Sequence, residues 1–312
     1  MTISLKSRLA LFTSKVDHQK WNVVQLQQGE YSCKILASYG ASLISYKHLD
    51  YEFVEGYTQA EEIQNQKYRG VILAPFPNRV AKAQYAFKNE DYHLAVNREK
   101  EGLALHGLLY DQVFEVDSQS EERVVLSYNY SKKKQGYPFL FSLIVSYELK
   151  SDGSLNISTT VENQEDKMPF GLGWHPYFKM NESIDDLTFE FPPSRKIELD
   201  RSLIPTGNHL PFNSIPKTLD LSLHQFDDCF ELLSEESIGF KLIGKHYVLE
   251  IKGGSSEEFP FFQIYTPKNR TSIAIEPMTC APDAFNNQMG LMILNPKEKK
   301  TFSYKIKASH RV

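Results

Sequence analysis

Apolar residues at every second position most strongly limit the folds open to this 312-residue chain. Leu143, Val145, Tyr147 and Leu149 follow this spacing, and the pattern resumes after the turn at residues 151–153. Because successive side chains of a β-strand point to opposite faces of a sheet, the pattern predicts a hairpin with one buried face.

The same spacing recurs along much of the chain. It predicts strands at residues 83–87 and 92–96 around a turn at 88–91, and further strands at 124–130 and 302–308. Residues 58–68 contain good helix formers but few apolar positions, so we expect a short surface helix or an irregular excursion there. The sequence therefore predicts an all-β protein.

Antiparallel sheets of this extent must stack or close to bury their apolar faces. We therefore expect a large sandwich with a concave face that can hold a ligand, formed by a single domain spanning residues 1–312. The chain contains 17 Tyr and 20 Phe residues. Most of these suit a pleated core, and some are suited to stacking on the apolar faces of sugar rings.

Net charge, hydropathy and cysteine content argue against several classes of function. A formal net charge of -4 provides no basic field for a nucleic acid. No apolar stretch is long enough to span a bilayer, and the run at residues 9–12 is too short for a signal-peptide core, so we expect a cytoplasmic protein. Cys33, Cys229 and Cys280 have neither the spacing of a zinc site nor the number of a disulfide framework.

Glu276 is the first candidate catalytic residue. It follows the apolar residues 273–275, which predict a buried strand, and we expect Pro277 and Pro282 to fix the path by which the chain leaves that strand. A carboxylate at such a position is either paired or has a shifted pKa, and both conditions are common at active sites. The alternative is an ordinary strand-end carboxylate that is exposed or paired with a lysine.

Three further residues lie in unusual local sequences. His175 precedes Pro176, which restricts its backbone, and His106 precedes Gly107, which permits close backbone approach. Arg79 follows an apolar, proline-rich stretch and could bind a carboxylate or adjacent hydroxyls. Each also has a structural alternative, namely a core histidine bonded to a carbonyl or a salt-bridged arginine.

Several other chemistries are excluded by spacing. The sequence contains no phosphate-binding GxxxxGK loop, no complete dinucleotide fingerprint, no HExxH and no GxSxG. No close-spaced ligand cluster supports a metal site.

Five ordered motifs between Phe76 and Asn286 together resemble the aldose 1-epimerases, also called galactose mutarotases. The motifs are Pro-x-x-Asn-Arg ending at Arg79, Leu-His-Gly around His106, His-x-Tyr-Phe from His175, Asp-x-x-Phe from Asp227, and Glu276-Pro followed by Ala-Phe-Asn. Leu108 and residues 179–180 depart from the galactose-type pattern, so the chain is closer to the broader branch of the family.

The resemblance implies a large antiparallel β-supersandwich with a sugar site on its concave face and no metal or organic cofactor. It also implies Glu276 as the general base and His175 as the general acid. Arg79, His106 and Asp227 would then bind the sugar, with Gln263 as a further wall of the site. Asp227 is preferred to the adjacent Asp228 because it stands in register with Phe230 of its motif.

The implied reaction interconverts the α and β anomers of a free hexose. Two alternatives remain open. A hexose-6-phosphate mutarotase would need a cationic clamp for the phosphate, to which residues 67–69 could contribute beside Arg79. A carbohydrate-binding protein would keep the pocket without catalysis. The sequence does not fix the oligomeric state.

Overall fold

Antiparallel β-sheet dominates the computed structural model, which describes residues 21–65, 68–131, 136–210, 218–233, 239–253 and 258–311. The N-terminal run at residues 9–12 and Lys67, both considered above, lie outside these ranges. In the described ranges the first thirteen strands are β1 (Val23–Gln28), β2 (Tyr31–Leu36), β3 (Ser42–His48), β4 (Tyr51–Glu52), β5 (Ile72–Leu73), β6 (Arg79–Val80), β7 (Gln84–Phe87), β8 (Glu90–His93), β9 (Ala104–Leu105), β10 (Glu115–Gln119), β11 (Arg123–Tyr130), β12 (Phe141–Leu149) and β13 (Leu155–Asn163).

The second half of the chain continues in the same way. Its described strands are β14 (Met168–Phe170), β15 (Gly173–Trp174), β16 (Tyr177–Phe178), β17 (Thr188–Glu190), β18 (Ser194–Leu199), β19 (Pro205–Leu210), β20 (Thr218–Asp220), β21 (Asp227–Leu232), β22 (Gly239–Ile243), β23 (Tyr247–Gly253), β24 (Phe261–Tyr265), β25 (Ile273–Met278), β26 (Met292–Leu294) and β27 (Lys299–His310).

Two large sheets contain most of these strands. One has the order β10-β11-β12-β13-β27-β23-β22-β17-β20, and the other has the order β19-β18-β21-β24-β25-β15-β5, with β16 also paired to β25. A smaller sheet has the order β1-β2-β3-β4. A single hydrophobic cluster includes Leu143 and Ile157 of the first sheet and Phe262 and Ile275 of the second. The predicted all-β sandwich is confirmed, and the single-domain organisation stays a prediction.

The hairpin predicted from period-two spacing is present as β12 and β13. Leu149 pairs with Leu155 across the turn, and Phe141 pairs with Asn163 at the far end. The alternate residues that begin with Phe141 are buried throughout β12. Spacing alone therefore identified this element and its buried face, and it also identified β11 and β27.

The predicted turn at residues 88–91 was too long. Strand β8 begins at Glu90, and only Lys88 and Asn89 lie between the strands. Both turn residues have positive φ, which is the conformation that two-residue hairpins require. Val96 was expected to end the second strand, but it lies outside β8 and is 46% exposed.

Helices are few and short, as expected. Residues 58–68 contain a 3₁₀ helix, Ala60–Gln64, and shorter 3₁₀ turns occur at Ala81–Ala83, Ile184–Asp186 and Leu221–Leu223. The one α-helix in the described ranges, α1 (Ala284–Asn287), has a single turn. None of the described helices is both long and apolar enough to cross a membrane. All three cysteines are buried free thiols.

Candidate active site

Three adjacent strands of the second large sheet present polar side chains on one face. Asp227 pairs with Tyr265 between β21 and β24, and Gln263 pairs with Glu276 between β24 and β25. Because side chains alternate between faces, these four residues share the face opposite the main core. The intervening Ile264 belongs to that core. One sheet face therefore unites three candidate site residues distant in sequence.

Glu276 lies inside β25 and not at its exit. The strand continues through Pro277 to Met278, so the expectation that Pro277 begins the exit path was wrong. All six residues of β25 are buried, and Glu276 is only 2% exposed. A carboxyl group held in the middle of a buried strand is more fixed and more desolvated than one at a strand end.

His175 follows β15 and has its backbone bonded on both sides. Its N–H donates to the carbonyl of Val71 at 3.0 Å, and its own carbonyl accepts from the N–H of Gly70 at 2.8 Å. The side chain is 6% exposed, and its Nε2 lies 3.4 Å from Oε1 of Glu276. The two residues predicted to act as acid and base are therefore in direct contact.

Arg79 and His106 reach the site from a second pair of strands. Arg79 pairs with Leu105 between β6 and β9, and the N–H of His106 donates to the carbonyl of Asn78 at 2.8 Å. His106 has a positive φ of 62°, a conformation that few residues other than glycine adopt. Its ring centroid lies 5.0 Å from that of His175 in an edge-to-face arrangement.

Asn78 belongs to the site although the sequence analysis gave it no role. Nη1 of Arg79 donates to its Oδ1 at 2.9 Å, and its Nδ2 donates to Oε1 of Gln263 at 3.2 Å. Nε2 of Gln263 in turn donates to Oδ1 of Asp227 at 2.9 Å. Asn78 thus joins Arg79 to the polar sheet face. Its place in the Pro-x-x-Asn-Arg motif was the available signal.

The two adjacent aspartates have different partners. Asp227 bonds to Gln263, whereas Oδ1 of Asp228 lies 2.8 Å from Nζ of Lys196. Burial raises the pKa of the Asp227 carboxyl, while Arg79 and the bond from Gln263 oppose that rise. Asp227 is therefore the aspartate in contact with the candidate site, and Asp228 is in a separate ion pair.

Burial disfavours charge on both members of the His175 and Glu276 pair. Desolvation raises the pKa of Glu276 well above its ordinary value; the charge of Asp227 adds to the rise, and Arg79 opposes it. Desolvation lowers the pKa of His175 to about 3. Both shifts therefore favour a neutral carboxyl on Glu276 and a neutral imidazole on His175 over the ion pair.

Burial also shifts the pKa values of His106 and Arg79. Burial, followed by the proximity of His175 and Arg79, lowers the pKa of His106 well below its ordinary value. Burial likewise lowers the pKa of Arg79, which the carboxylates of Asp227 and Glu276 oppose. His106 is therefore a neutral imidazole, able to donate from one nitrogen and accept at the other.

Several buried polar atoms at this site have no hydrogen-bond partner among the described residues. They are Nδ1 of His106, Nδ1 of His175 and Oε2 of Glu276. Buried polar groups in folded proteins are nearly always satisfied, so three unsatisfied atoms on neighbouring side chains indicate a place where a ligand supplies the bonds. Hydroxyl groups, which both donate and accept, match this set.

A cavity of about 590 Å³ lies near His175 and is lined in part by aromatic rings. Tyr68 and Tyr177 are among its walls, and both rings also contact the ring of His175. Tyr265, which shares the sheet face of Glu276, lines it too. The cavity therefore has aromatic rings that also contact His175, and such rings can stack on the apolar face of a ligand.

No group of three His, Cys, Asp or Glu side chains in the described ranges has metal-binding geometry.

Comparison with known proteins assigns a family. The sequence profile described as aldose 1-epimerase matches residues 22–307. An uncharacterised Escherichia coli protein, YihR, is 26% identical over 240 residues, or 72% of this chain and 74% of that protein. Human galactose mutarotase is 28% identical over 189 residues, and the aligned region covers 57% of this chain but only 53% of that protein.

Solved structures agree on the fold. A galactose mutarotase-like protein of Clostridium acetobutylicum superposes with a TM-score of 0.85 at 18% identity, covering 94% of this chain and 97% of that one. A galactose 1-epimerase of Lactobacillus acidophilus gives a TM-score of 0.80 at 19% identity, covering 92% and 94% of the respective chains. At these identities the likeness establishes the galactose mutarotase-like fold and not the substrate.

Proposed function

The chain belongs to the aldose 1-epimerase family of isomerases, and we propose that it interconverts the α and β anomers of an aldose through His175 and Glu276. The observation that carries the proposal is the 3.4 Å contact between Nε2 of His175 and Oε1 of Glu276. Both groups are buried, and each has a second polar atom without a partner among the described residues. An acid and a base are thereby available to one small substrate.

In the forward step the Glu276 carboxylate removes the proton from the C1 hydroxyl, and the His175 imidazolium donates a proton to the ring oxygen. The bond between C1 and the ring oxygen breaks, its electron pair stays on that oxygen, and C1 becomes an aldehyde carbon. Rotation about the C1–C2 bond presents the other carbonyl face. His175 then acts as base and Glu276 as acid when the ring closes, so the opposite anomer forms and the protein is regenerated.

The proton count of the buried pair suits this scheme. His175 and Glu276 share one proton. Burial favours the neutral pair, in which Glu276 carries the proton. The reacting form is the ion pair, in which His175 carries it. Transfer of that proton from Glu276 to His175 needs no exchange with solvent. General acid and general base groups each contribute about 10²–10⁴-fold to rate, which is the scale required of this pair.

The remaining polar groups are suited to holding sugar hydroxyls. Arg79 and Asp227 offer charged donor and acceptor groups, while His106 and Gln263 offer neutral ones. The network through Asn78 keeps three of these side chains in fixed relative positions. Fixed binding groups orient C1 and the ring oxygen against the acid and base pair, which lowers the entropic cost of reaction.

Polarimetry tests the proposal. Freshly dissolved α-glucose and α-galactose change optical rotation spontaneously, and the purified protein should accelerate that change for at least one aldose in a panel. An acceleration proportional to protein concentration would support mutarotase activity. Calorimetric binding of a sugar without any acceleration would instead favour a non-catalytic carbohydrate-binding protein.

A phosphorylated hexose is a second candidate substrate because of the charge of the cavity wall. Arg69, Arg98 and Lys268 line the cavity, and no carboxylate is among its described lining residues. Against this, Arg69 is paired with Glu55, and Arg98 with Glu101 at 2.9 Å. Lys67, the other cation considered from sequence, lies outside the described residues.

Comparing turnover of glucose and glucose 6-phosphate separates the two candidates. A phosphorylated substrate predicts a lower KM for glucose 6-phosphate, an increase in that KM with salt, and a selective loss in Lys268→Gln. If Lys268→Gln and added salt leave the ratio of the two KM values unchanged, the uncharged hexose is favoured.

A further inference from the structure

Two tyrosine rings face the imidazole of His175. The Tyr177 ring is stacked on it at a centroid distance of 4.9 Å and an interplanar angle of 12°. The Tyr68 ring is nearly parallel to it as well, at 6.3 Å and 14°. His106 contacts the same imidazole edge-on at 5.0 Å.

The backbone fixes this arrangement. Pro176 separates His175 from Tyr177, and β16 pairs Tyr177 with Ala274 of β25. The carbonyl of Tyr177 accepts a hydrogen bond from the N–H of Glu55 at 2.9 Å. The closest ring contact of His175 is thus anchored to the strand that carries Glu276, so the three side chains are held together.

An aromatic face attracts a cation and does little for a neutral ring. The other groups that face His175 are Glu276, which favours the imidazolium only once its own carboxyl is ionised, and the neutral His106 and Tyr68. Burial opposes protonation of His175, so its role as acid requires groups that stabilise the imidazolium. Tyr177 is positioned to do so at the moment when the proton moves from Glu276.

The hydroxyl of Tyr177 does not take part as a titrating group. Burial, followed by the charge of Glu276, raises its pKa well above its ordinary value, and Arg69 opposes that rise only in part. The hydroxyl therefore stays protonated over the working pH range. What Tyr177 offers His175 is the face of its ring.

We infer that Tyr177 is a positioning residue for the acid step, whose ring face stabilises the imidazolium form of His175 during ring opening. This inference rests on the proposed function. It predicts that the aromatic ring is needed and the hydroxyl is not. Tyr177→Phe should therefore preserve the stabilisation of the His175 imidazolium, whereas Tyr177→Leu should remove it.

The kcat–pH profile of anomer interconversion measures this contribution. In Tyr177→Leu the kcat should fall roughly tenfold, because the ion pair becomes a rarer form of the buried pair, while the alkaline limb, where the neutral pair loses its proton, should stay in place. Tyr177→Phe should stay within about twofold of the unsubstituted protein. Equal damage in the two variants, or a kcat for Tyr177→Leu within about twofold of the unsubstituted protein, would overturn the inference.

Tyr265→Leu is the matched control. Tyr265 lines the same cavity and its ring is edge-on to that of Tyr177 at 6.5 Å, but no ring contact joins it to His175. Its loss should raise KM far more than it lowers kcat. If Tyr177→Leu fails to fold, Tyr68→Leu removes the second nearly parallel ring and should lower kcat by a smaller factor, because its contact with His175 is longer; an unchanged kcat there would equally overturn the inference.

A spectroscopic measurement separates this inference from the proposed function. The ¹⁵N shifts of His175 can be followed with a bound 1,5-anhydrohexitol, which lacks the C1 hydroxyl and cannot react. A smaller imidazolium fraction in Tyr177→Leu than in Tyr177→Phe supports the ring-face role, and equal fractions oppose it. Failure of the unsubstituted protein to accelerate anomer interconversion would instead count against the proposed function alone.

Discussion

Nδ2 of Asn78 donates a hydrogen bond of 3.2 Å to Oε1 of Gln263, although 185 residues separate them in sequence. This bond connects the segment that leads into β6 and Arg79 to the sheet that carries Glu276. Asn78 is 2% exposed and Gln263 is 3% exposed, so neither amide can exchange its partner for bulk water. The binding groups and the acid and base pair are therefore parts of one polar network.

Asn78→Ala should destabilise the protein and weaken substrate binding. It leaves the buried Oε1 of Gln263 unpaired at a cost of about 1–3 kcal/mol. Asn89→Ala is the matched control, because Asn89 has a similar positive φ but lies in the exposed turn between β7 and β8. Urea denaturation should show a larger loss of unfolding free energy for Asn78→Ala than for Asn89→Ala, and the KM of Asn78→Ala should rise. Equal losses in the two variants would assign the whole effect to backbone strain.

Asp227→Asn should move the pH–rate profile to lower pH. The Asp227 carboxylate helps to raise the pKa of Glu276, so removing its charge makes the buried pair release its protons more readily. The new amide oxygen can still accept from Gln263. Asp228→Asn removes the same charge one residue further on, where it pairs with Lys196, and should leave the profile in place. A matching shift in both variants would contradict the assignment of Asp227 to the site.

His106→Asn should make stability less sensitive to acid. Burial holds the folded-state pKa of His106 well below 6.5, so the unfolded chain binds the extra proton and stability is lost as pH falls below that value. Without this imidazole, the free energy of unfolding should fall less steeply between pH 6.5 and 5, by up to about 1.4 kcal/mol per pH unit. Asparagine also tolerates the positive φ. Urea denaturation at several pH values measures the slopes, and equal slopes would exclude a buried neutral His106.

Gly107→Ala should disturb the site more than Gly102→Ala. Both glycines have positive φ, which costs an alanine about 1–2 kcal/mol. A Cβ on Gly107 would also lie 2.2 Å from the carbonyl oxygen of Ala74, whereas a Cβ on Gly102 would meet open space. The adjacent His106 must then shift, so kcat should fall with stability in Gly107→Ala only. A similar melting temperature and kcat for both variants would contradict this steric account.

Much of the fold could be predicted from residue spacing. The alternation of apolar and polar residues in β12 and β13 follows directly from burial on one side of a sheet, so the hairpin and its buried face could be predicted. The turn at Lys88 and Asn89 was misjudged because positive φ at both residues is a property of the folded hairpin. Two-residue strands such as β15 and β16 have no spacing to detect.

The candidate site residues were proposed from the motifs of a family more than from physical reasoning, and their roles stay a prediction. Local sequence pointed to Glu276, His175, His106 and Arg79 one at a time, but their contacts depend on strand order, which spacing does not encode. For the same reason Asn78 and Tyr177 received no role. Local sequence also does not reveal how completely the imidazole of His175 is buried.

The central claim is that His175 and Glu276 act as one proton-exchanging unit. Polarimetric rates for Glu276→Gln, His175→Asn and the double variant, measured above the spontaneous rate of the best aldose, test it most directly. Each single variant should lose about 10²-fold or more, and the double variant should be no slower than the more damaged single one. An unchanged rate in Glu276→Gln, or losses that multiply in the double variant, would contradict the account.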